Sequence, residues 1–424
     1  MDQADIQGFF IDPQHLRSED HVVACYRVLI AGEAPRVAAA LCAEQSTAMW
    51  QRVGVAEDLR PRYAAKVLRL APSVSSQTVG DAVWWDLEIA YPHHNIGPRL
   101  PNLLVALAGE GALHAPGVQG LILRDIKFPA TYAAQFTGPQ WGVAGLRERF
   151  GVIERPFFMG VIKPNFGLAP EVFAAQAYEA WGGGLDIAKD DEMLGDVAWS
   201  PLTERVAAVV AARRRAEAET GERKAYIANV TDDSDRIASF ADVVAERGGD
   251  AVLLNPMWTG IGAIAALRRS GQLPIMSHFA GLALLTRAAQ WRIEMPVLVK
   301  FLRLAGADMI GLAGFGPRMH TTADEVRAGV AACLAPWPGI RPALPIPGGG
   351  DWAGTLPTVY AQIGHPDFAF IAGRGVFGHP RGPRAGARSV CQAWDAVRAG
   401  VPLSDAAAAA PELAAALQFF GGVP

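Results

Sequence analysis

From residue 157 onward, short continuously apolar runs alternate with amphipathic segments, and this pattern narrows the possible folds more than any other feature. The runs are FFMGVIK, LDIAKDD, AYIANV, DAVLLN, PIMSH, DMIGL, ALPIP and FAFIAG, separated by stretches such as PLTERVAAVVAARRRAEAE and PVLVKFLRLAG. A run that is apolar at nearly every position predicts a strand buried on both faces, as in a parallel sheet covered by the intervening helices. Eight such units in about 240 residues fit a closed (β/α)8 TIM barrel, with an open doubly wound sheet as the structural alternative. Up to about Gln135 the texture differs: alternating segments such as AVWWDLEIAY lie among helix-like stretches such as APRVAAALCAEQS. We therefore expect a smaller α+β, ferredoxin-like domain over residues 1–138. The turn-rich FTGPQWG joins it to a barrel over residues 139–424 that ends in a helical tail.

Two domains are also what 424 residues predict. A formal net charge of −4 without a basic run argues against nucleic-acid binding. MDQADIQGFFIDPQHLRSED lacks the basic-then-apolar order of a signal peptide. AAAAAPELAAALQFF, interrupted by Pro and Glu, reads as a packed helix and not as a membrane span. Cys25, Cys42, Cys333 and Cys391 lie far apart with no C-x-x-C spacing, which fits reduced thiols in a cytoplasmic protein.

Polar residues at the C-terminal ends of barrel strands are candidates for an active site. Lys163 ends strand one, and Lys189-Asp190-Asp191-Glu192 ends strand two. Asn229, Asn255 and His278 end strands three, four and five. Four consecutive charges at the end of a buried strand are costly unless they are paired or bind metal. Neighbouring carboxylates supply the hard oxygen donors that Mg²⁺ prefers, although a charge run can also be a solvated loop. Strands seven and eight open into glycine-rich turns, PGGGD (Gly348, Gly349, Gly350) and AGRG (Gly373, Arg374, Gly375). Such turns let backbone N–H groups approach a phosphate, and Arg374 adds a fixed cation; the plainer reading of PGGGD is a tight turn. His278 alone reads more readily as a satisfied strand-end histidine than as a catalyst. His93-His94 falls in an expected surface loop and receives no role, and Trp84-Trp85 reads as core.

At this point the motifs resemble a known family. VIKPNFGL, GGLDIAKDDE, AEAETG ahead of the strand ending in Asn229, LRLAGAD, LPIPGGGD and GVFGHPRG are similar to the RuBisCO large subunit. AEQSTAMW, the LPN of the first domain and FPATYAAQFTGPQWGV extend the resemblance over nearly the whole chain. In detail it resembles the form IV, RuBisCO-like proteins. The resemblance implies a carbamate on Lys189, formed with CO₂, that joins Asp191 and Glu192 in holding one Mg²⁺ per subunit. It implies that Lys163 handles a proton near the enolate and that His278 binds substrate hydroxyls. Gly349, Gly350, Gly373, Arg374 and Trp50 would bind substrate or its phosphate. Asn102 and Glu44 would complete the site of a neighbouring subunit, which makes the expected assembly a homodimer with its site at the subunit interface.

The departures from the family matter as much. Asn165 replaces the second lysine of K-P-K, Phe279 the arginine after the strand-five histidine, Gly311 the strand-six histidine and Gly348 the strand-seven serine. The loop AGFGPRMH holds no lysine, Arg318 being a loose substitute, and Met49 replaces the threonine before Trp50. The pattern implies metal-assisted enolisation of a sugar monophosphate without CO₂ fixation. Cleavage of a β-keto sugar-acid phosphate of the 3-oxo-isoapionate 4-phosphate type, by decarboxylation or transcarboxylation and hydrolysis, fits it. An enolase or isomerase of a methylthio-ribulose phosphate stays open, as do a Schiff-base aldolase using Lys163 and a non-catalytic barrel.

Overall fold

The computed structural model describes residues 1–48, 59–74, 78–271 and 273–421. Contacts divide the chain into two units: Met1–Thr137 with Gly281–Leu304 and Pro338–Ile340, and Gly138–Ala280 with Ala305–Trp337 and Arg341–Pro424. The sequence suggested a single cut after residue 138. The chain instead returns to the first unit near residue 281, because a three-residue strand there joins the first sheet. A strand that short carries no readable period.

The first unit is built on β1 (His21–Ile30), β2 (Lys66–Pro72), β3 (Val83–Pro92) and β4 (Val118–Lys127), with β10 (Trp291–Ile293) at one edge. The order β10-β4-β1-β3-β2 is antiparallel except at the β10–β4 pair. Helices Ala34–Glu44 and Leu100–Ala108 follow β1 and β3, which gives the βαββαβ connectivity of a ferredoxin-like unit. Alternation accounts for β1: Val22, Ala24, Tyr26 and Val28 are buried, while the residues between them are partly exposed. Trp84 lies in the core with Leu29 and Ile122, as its sequence context suggested.

The second unit is a barrel of eight parallel strands. They are β5 (Phe157–Val161), β6 (Ile187–Lys189), β7 (Ala225–Asn229), β8 (Ala251–Leu254), β9 (Ile275–Ser277), β11 (Met309–Ala313), β12 (Leu344–Gly348) and β13 (Ala369–Ile371). Hydrogen bonds link them in the order β12-β11-β9-β8-β7-β6-β5-β13, and β12 and β13 lie side by side, so the barrel is nearly closed. Met159, Ile187, Ile227, Leu253, Met276 and Ile346 share its interior. Helix Gly142–Phe150 adds Val143, Leu146 and Phe150 to the same cluster.

The N-terminal ends of alternate strands share a device that sequence reading passed over. Asp186, Asp250 and Asp308 each stand directly before a strand, β6, β8 and β11. Their carboxylates accept the N–H of Phe158, Tyr226 and Ile275 at 2.7, 2.9 and 3.1 Å. Each carboxylate also meets an arginine: Arg155 at 2.6 and 2.7 Å, Arg213, and Arg268 at 3.2 Å. Asp308 further accepts the N–H groups of Trp141 and Gly142, tying helix Gly142–Phe150 to the barrel. The C-terminal tail is helical, and helix Pro411–Phe420 buries Leu413, Ala416 and Phe420. Among the described residues no helix is long and apolar enough to cross a membrane.

Candidate active site

Strand alternation decides which charges enter the barrel. Ile187 faces the interior, so Lys189, two residues on, does too, and Asp190 faces outward. Lys189 is fully buried, in register with Val161 of β5 and Ile227 of β7. Asp190 turns away from the site to accept bonds from the Tyr226 hydroxyl at 2.6 Å, Arg205 Nε at 3.3 Å and Asn229 N–H at 3.0 Å. The KDDE run is therefore two things at once: inward chemistry and an outward buried ion pair. Arg205, on helix Leu202–Thr220, was not singled out from the sequence, yet its guanidinium also holds the Ser200 and Gly195 carbonyls. An arginine three residues past a helix start gave no distinguishing signal.

Inside, five ionisable side chains converge. Lys163 lies two residues beyond the end of β5, and its Nζ donates to Asp191 Oδ2 at 2.5 Å and to Asn165 Oδ1 at 2.6 Å. Lys189 Nζ donates to the Asp190 carbonyl at 2.6 Å and stands 3.8 Å from Glu192 Oε2. The same Glu192 Oε2 meets His278 Nε2 at 3.3 Å. His278 Nδ1 accepts the Ala280 N–H at 3.1 Å, so the neutral ring carries its hydrogen on Nε2, toward Glu192. Burial, with Lys189 and Lys163 nearby, holds the His278 pKa well below the ordinary histidine value. Burial likewise lowers the Lys189 pKa, against the opposing pull of Glu192, Asp191 and Asp190. A depressed lysine pKa raises the share of free amine at neutral pH.

Asn229 holds the segment that carries the carboxylates. Its Nδ2 donates to the carbonyls of Glu192 and Leu194 at 3.0 and 3.1 Å, and its Oδ1 accepts the Thr231 N–H. Asn255 follows β8 and caps the short helix Pro256–Thr259 by accepting the Met257 N–H, so it acts on backbone. The donor set for a divalent cation is thus two carboxylates and a buried amine. Among the described residues no three His, Cys, Asp or Glu side chains come together to hold a metal unaided.

Beside this cluster lies a cavity of about 260 Å³. Gly349 and Gly350 take φ of 155° and 91° in the turn after β12, and both line it with Arg374 and Arg318. Gly373, bonded to the cavity-lining Arg374, stands close to one of the lysines: a Cβ there would come within 3.5 Å of Lys163 Cε. Sequence reading missed the rest of the wall, which consists of the rings of Phe315, Trp352 and Phe420 with Asp351 and Thr355. Phe420 comes from the tail helix and packs on Trp352 at 5.5 Å, with the Arg374 guanidinium 5.6 Å above its ring. Burial pushes the Asp351 carboxyl up to about 6.

The substituted positions are filled from inside the protein. The Phe279 ring stacks on His278 at 4.8 Å and would stand 3.1 Å from a Cβ at Gly311. A Cβ at Gly348 would fall 2.2 Å from Ile371 Cγ2, so a serine could not stand there without displacing Ile371. Of the residues expected from the first unit, Asn102 is exposed on helix Leu100–Ala108, and Glu44 ends helix Ala34–Glu44 half-buried. Trp50 lies outside the described residues.

Comparison with known proteins follows the same division. Residues 9–132 match the N-terminal domain of the ribulose bisphosphate carboxylase large chain, and residues 142–420 match its catalytic domain. A ribulose bisphosphate carboxylase-like protein of Allochromatium vinosum is 50% identical over 99% of this chain and 94% of its own length. A 3-oxo-isoapionate-4-phosphate decarboxylase of Rhizobium etli is 33% identical over 94% of this chain and 98% of its own. The octameric ribulose-1,5-bisphosphate carboxylase/oxygenase of Pyrococcus horikoshii superposes with a TM-score of 0.91 at 32% identity, covering 99% and 97% of the two chains.

Proposed function

The chain belongs to the RuBisCO large-chain family as a RuBisCO-like protein, and from that premise we propose that it cleaves a phosphorylated β-keto sugar acid through an enolate, without fixing CO₂. The observation that carries the reading is the pair of lysines, one fully buried, that meet two carboxylates and a neutral histidine at the C-terminal mouth of a barrel. Mg²⁺ prefers oxygen donors, completing its shell with water or substrate, and in a set of two carboxylates and an amine the Lys189 position lacks one. A carbamate on Lys189 supplies that donor, so Lys189, Asp191 and Glu192 are the residues that would hold the ion. A bound Mg²⁺ offers Lewis-acid polarisation of a substrate carbonyl and charge to oppose a developing enolate.

The chain's own groups supply the remaining steps. Lys163, one-third exposed and aimed into the cluster, moves the proton at the carbon that becomes the enolate. His278 presents an Nε2–H, a donor suited to a substrate hydroxyl or carbonyl oxygen. Arg374 and Arg318, beside the turn that carries Gly350, form a cationic end suited to one phosphate. Phe279 and Ile371 crowd the positions replaced by Phe279, Gly311 and Gly348, and no cationic donor remains there. A second dianion there would lose its hydration with little in return. The likeness to the decarboxylase of Rhizobium etli supports the β-keto acid as the substrate class. The functional unit in this reading is a homodimer, each site completed by Glu44 and Asn102 of a second copy. Incubation with 3-oxo-isoapionate 4-phosphate, Mg²⁺ and bicarbonate tests the reading: consumption of substrate with release of CO₂ or of a carboxylated fragment is expected. No turnover of this compound, together with turnover of a methylthio-ribulose phosphate, would move the assignment to the isomerase branch.

A further inference from the structure

The cavity beside the glycine turn contains a group that a simple phosphate seat does not need. Among the described residues Arg318 and Arg374 form no ion pair, and both guanidiniums are available to an anion. Yet Asp351 lines the same cavity and is only 5% exposed. One of its oxygens accepts the Gly349 N–H at 3.1 Å, and the other accepts the Thr355 hydroxyl at 3.1 Å. Two consequences follow. The Gly349 amide is already engaged, so it offers nothing to a phosphate. And a bare oxyanion seated against the two arginines would face a buried carboxylate, a repulsion that low dielectric strengthens.

An ionised carboxylate only accepts hydrogen bonds, with about four lone-pair positions over its two oxygens. Two are in use here, and those remaining can be satisfied only by a donor. We propose that Asp351 is a specificity-determining residue, admitting an anionic group to this cavity only when the ligand brings a hydrogen-bond donor to it: a protonated phosphate oxygen, or a hydroxyl set beside a phosphate ester. The inference rests on reading this cavity as the phosphate seat, and it narrows the substrate to one that places such a donor there. With its pKa near 6, the carboxyl is ionised at neutral pH, as the filter requires.

Titration calorimetry of the full chain at about pH 7.5, with inorganic phosphate and with sulfate as probes, separates the possibilities. The two ions are alike in size and similar in charge, but phosphate retains at least one proton and sulfate none. Phosphate is expected to bind at least ~10-fold tighter, the scale of one unmet polar contact in a buried site. Asp351→Asn, whose amide can donate, should bring the two ions to within about twofold of each other. Equal binding of both ions by the wild-type chain overturns the inference while leaving the phosphate seat intact. Binding of neither ion, or binding of both that Arg374→Ala leaves unchanged, overturns the seat and the filter together. The wild-type ratio is read without any variant, so misfolding of Asp351→Asn does not shelter the proposal.

Discussion

Lys189 concentrates the residue-scale question, because burial and charge pull it in opposite directions. Burial favours the free amine, the only form of lysine that reacts with CO₂, and the neighbouring carboxylates favour the ammonium. A carbamate would turn a buried cation into the missing oxygen donor. Preincubation with bicarbonate and Mg²⁺ should therefore raise the initial rate, and Lys189→Ala should abolish both the rise and the activity; a fully active Lys189→Ala enzyme would refute the assignment. Lys163 makes a different prediction. Its Nζ touches Asp191 but contributes no oxygen donor, so Lys163→Met should leave Mg²⁺ binding by calorimetry intact. The same variant should slow exchange of substrate C–H with deuterated solvent by at least ~100-fold, the usual worth of a positioned proton-transfer group. An unchanged exchange rate would assign the base elsewhere. Both lysines were legible because charge at the end of an apolar run is conspicuous. The opposite destinations of Asp190 and Asp191 were not, although the two-residue period of a strand contains that information.

The strands themselves show how one position can be worth more than its neighbours. The aspartates before β6, β8 and β11 satisfy a backbone N–H on the adjacent strand and neutralise an arginine at the barrel floor, far from the lysines in sequence role. Asp308 is the most engaged, with Arg268 and three N–H groups around a fully buried carboxylate. Removing it strands a buried arginine, so Asp308→Ala should cost about 3–5 kcal/mol in urea unfolding. Asp367, which precedes β13 and pairs with Arg147, is about half exposed, and Asp367→Ala should cost about 1 kcal/mol or less. Equal costs at the two positions would show that burial is not what sets their value. The signal was present in the sequence as an acid immediately before four apolar runs, in LDIA, GDAV, ADMI and PDFA. It went unread because an acid before a strand also suits a loop. The tail helix was legible from its Ala- and Leu-rich pattern, but nothing there indicated that Phe420 would wall a cavity.

At the scale of the molecule, the site proposed here has one cationic end and one apolar end. Binding of sugar monophosphates should exceed that of bisphosphates of equal length, and labelled CO₂ should not enter product from ribulose bisphosphate; tighter bisphosphate binding would show that the Phe279 end accepts a second anion. Assembly makes a separate prediction. If Glu44 serves a partner's site, mixing inactive Lys189→Ala and Glu44→Gln chains after reversible dissociation should restore about a quarter of wild-type activity, since half the dimers are mixed and each mixed dimer has one intact site. No recovery, with mixed dimers demonstrated, would place Glu44 in its own subunit's site or outside any site. The sequence by itself determined the barrel, the strand ends and the charged candidates, because apolar runs and their periods are local properties of a chain. The tertiary structure alone decided that residues 291–293 join the first sheet, that Asp190 faces Arg205, and that Asp351 occupies the Gly349 amide. Each of these depends on which distant backbone or side-chain atom comes within hydrogen-bonding range, and no local pattern encodes that distance.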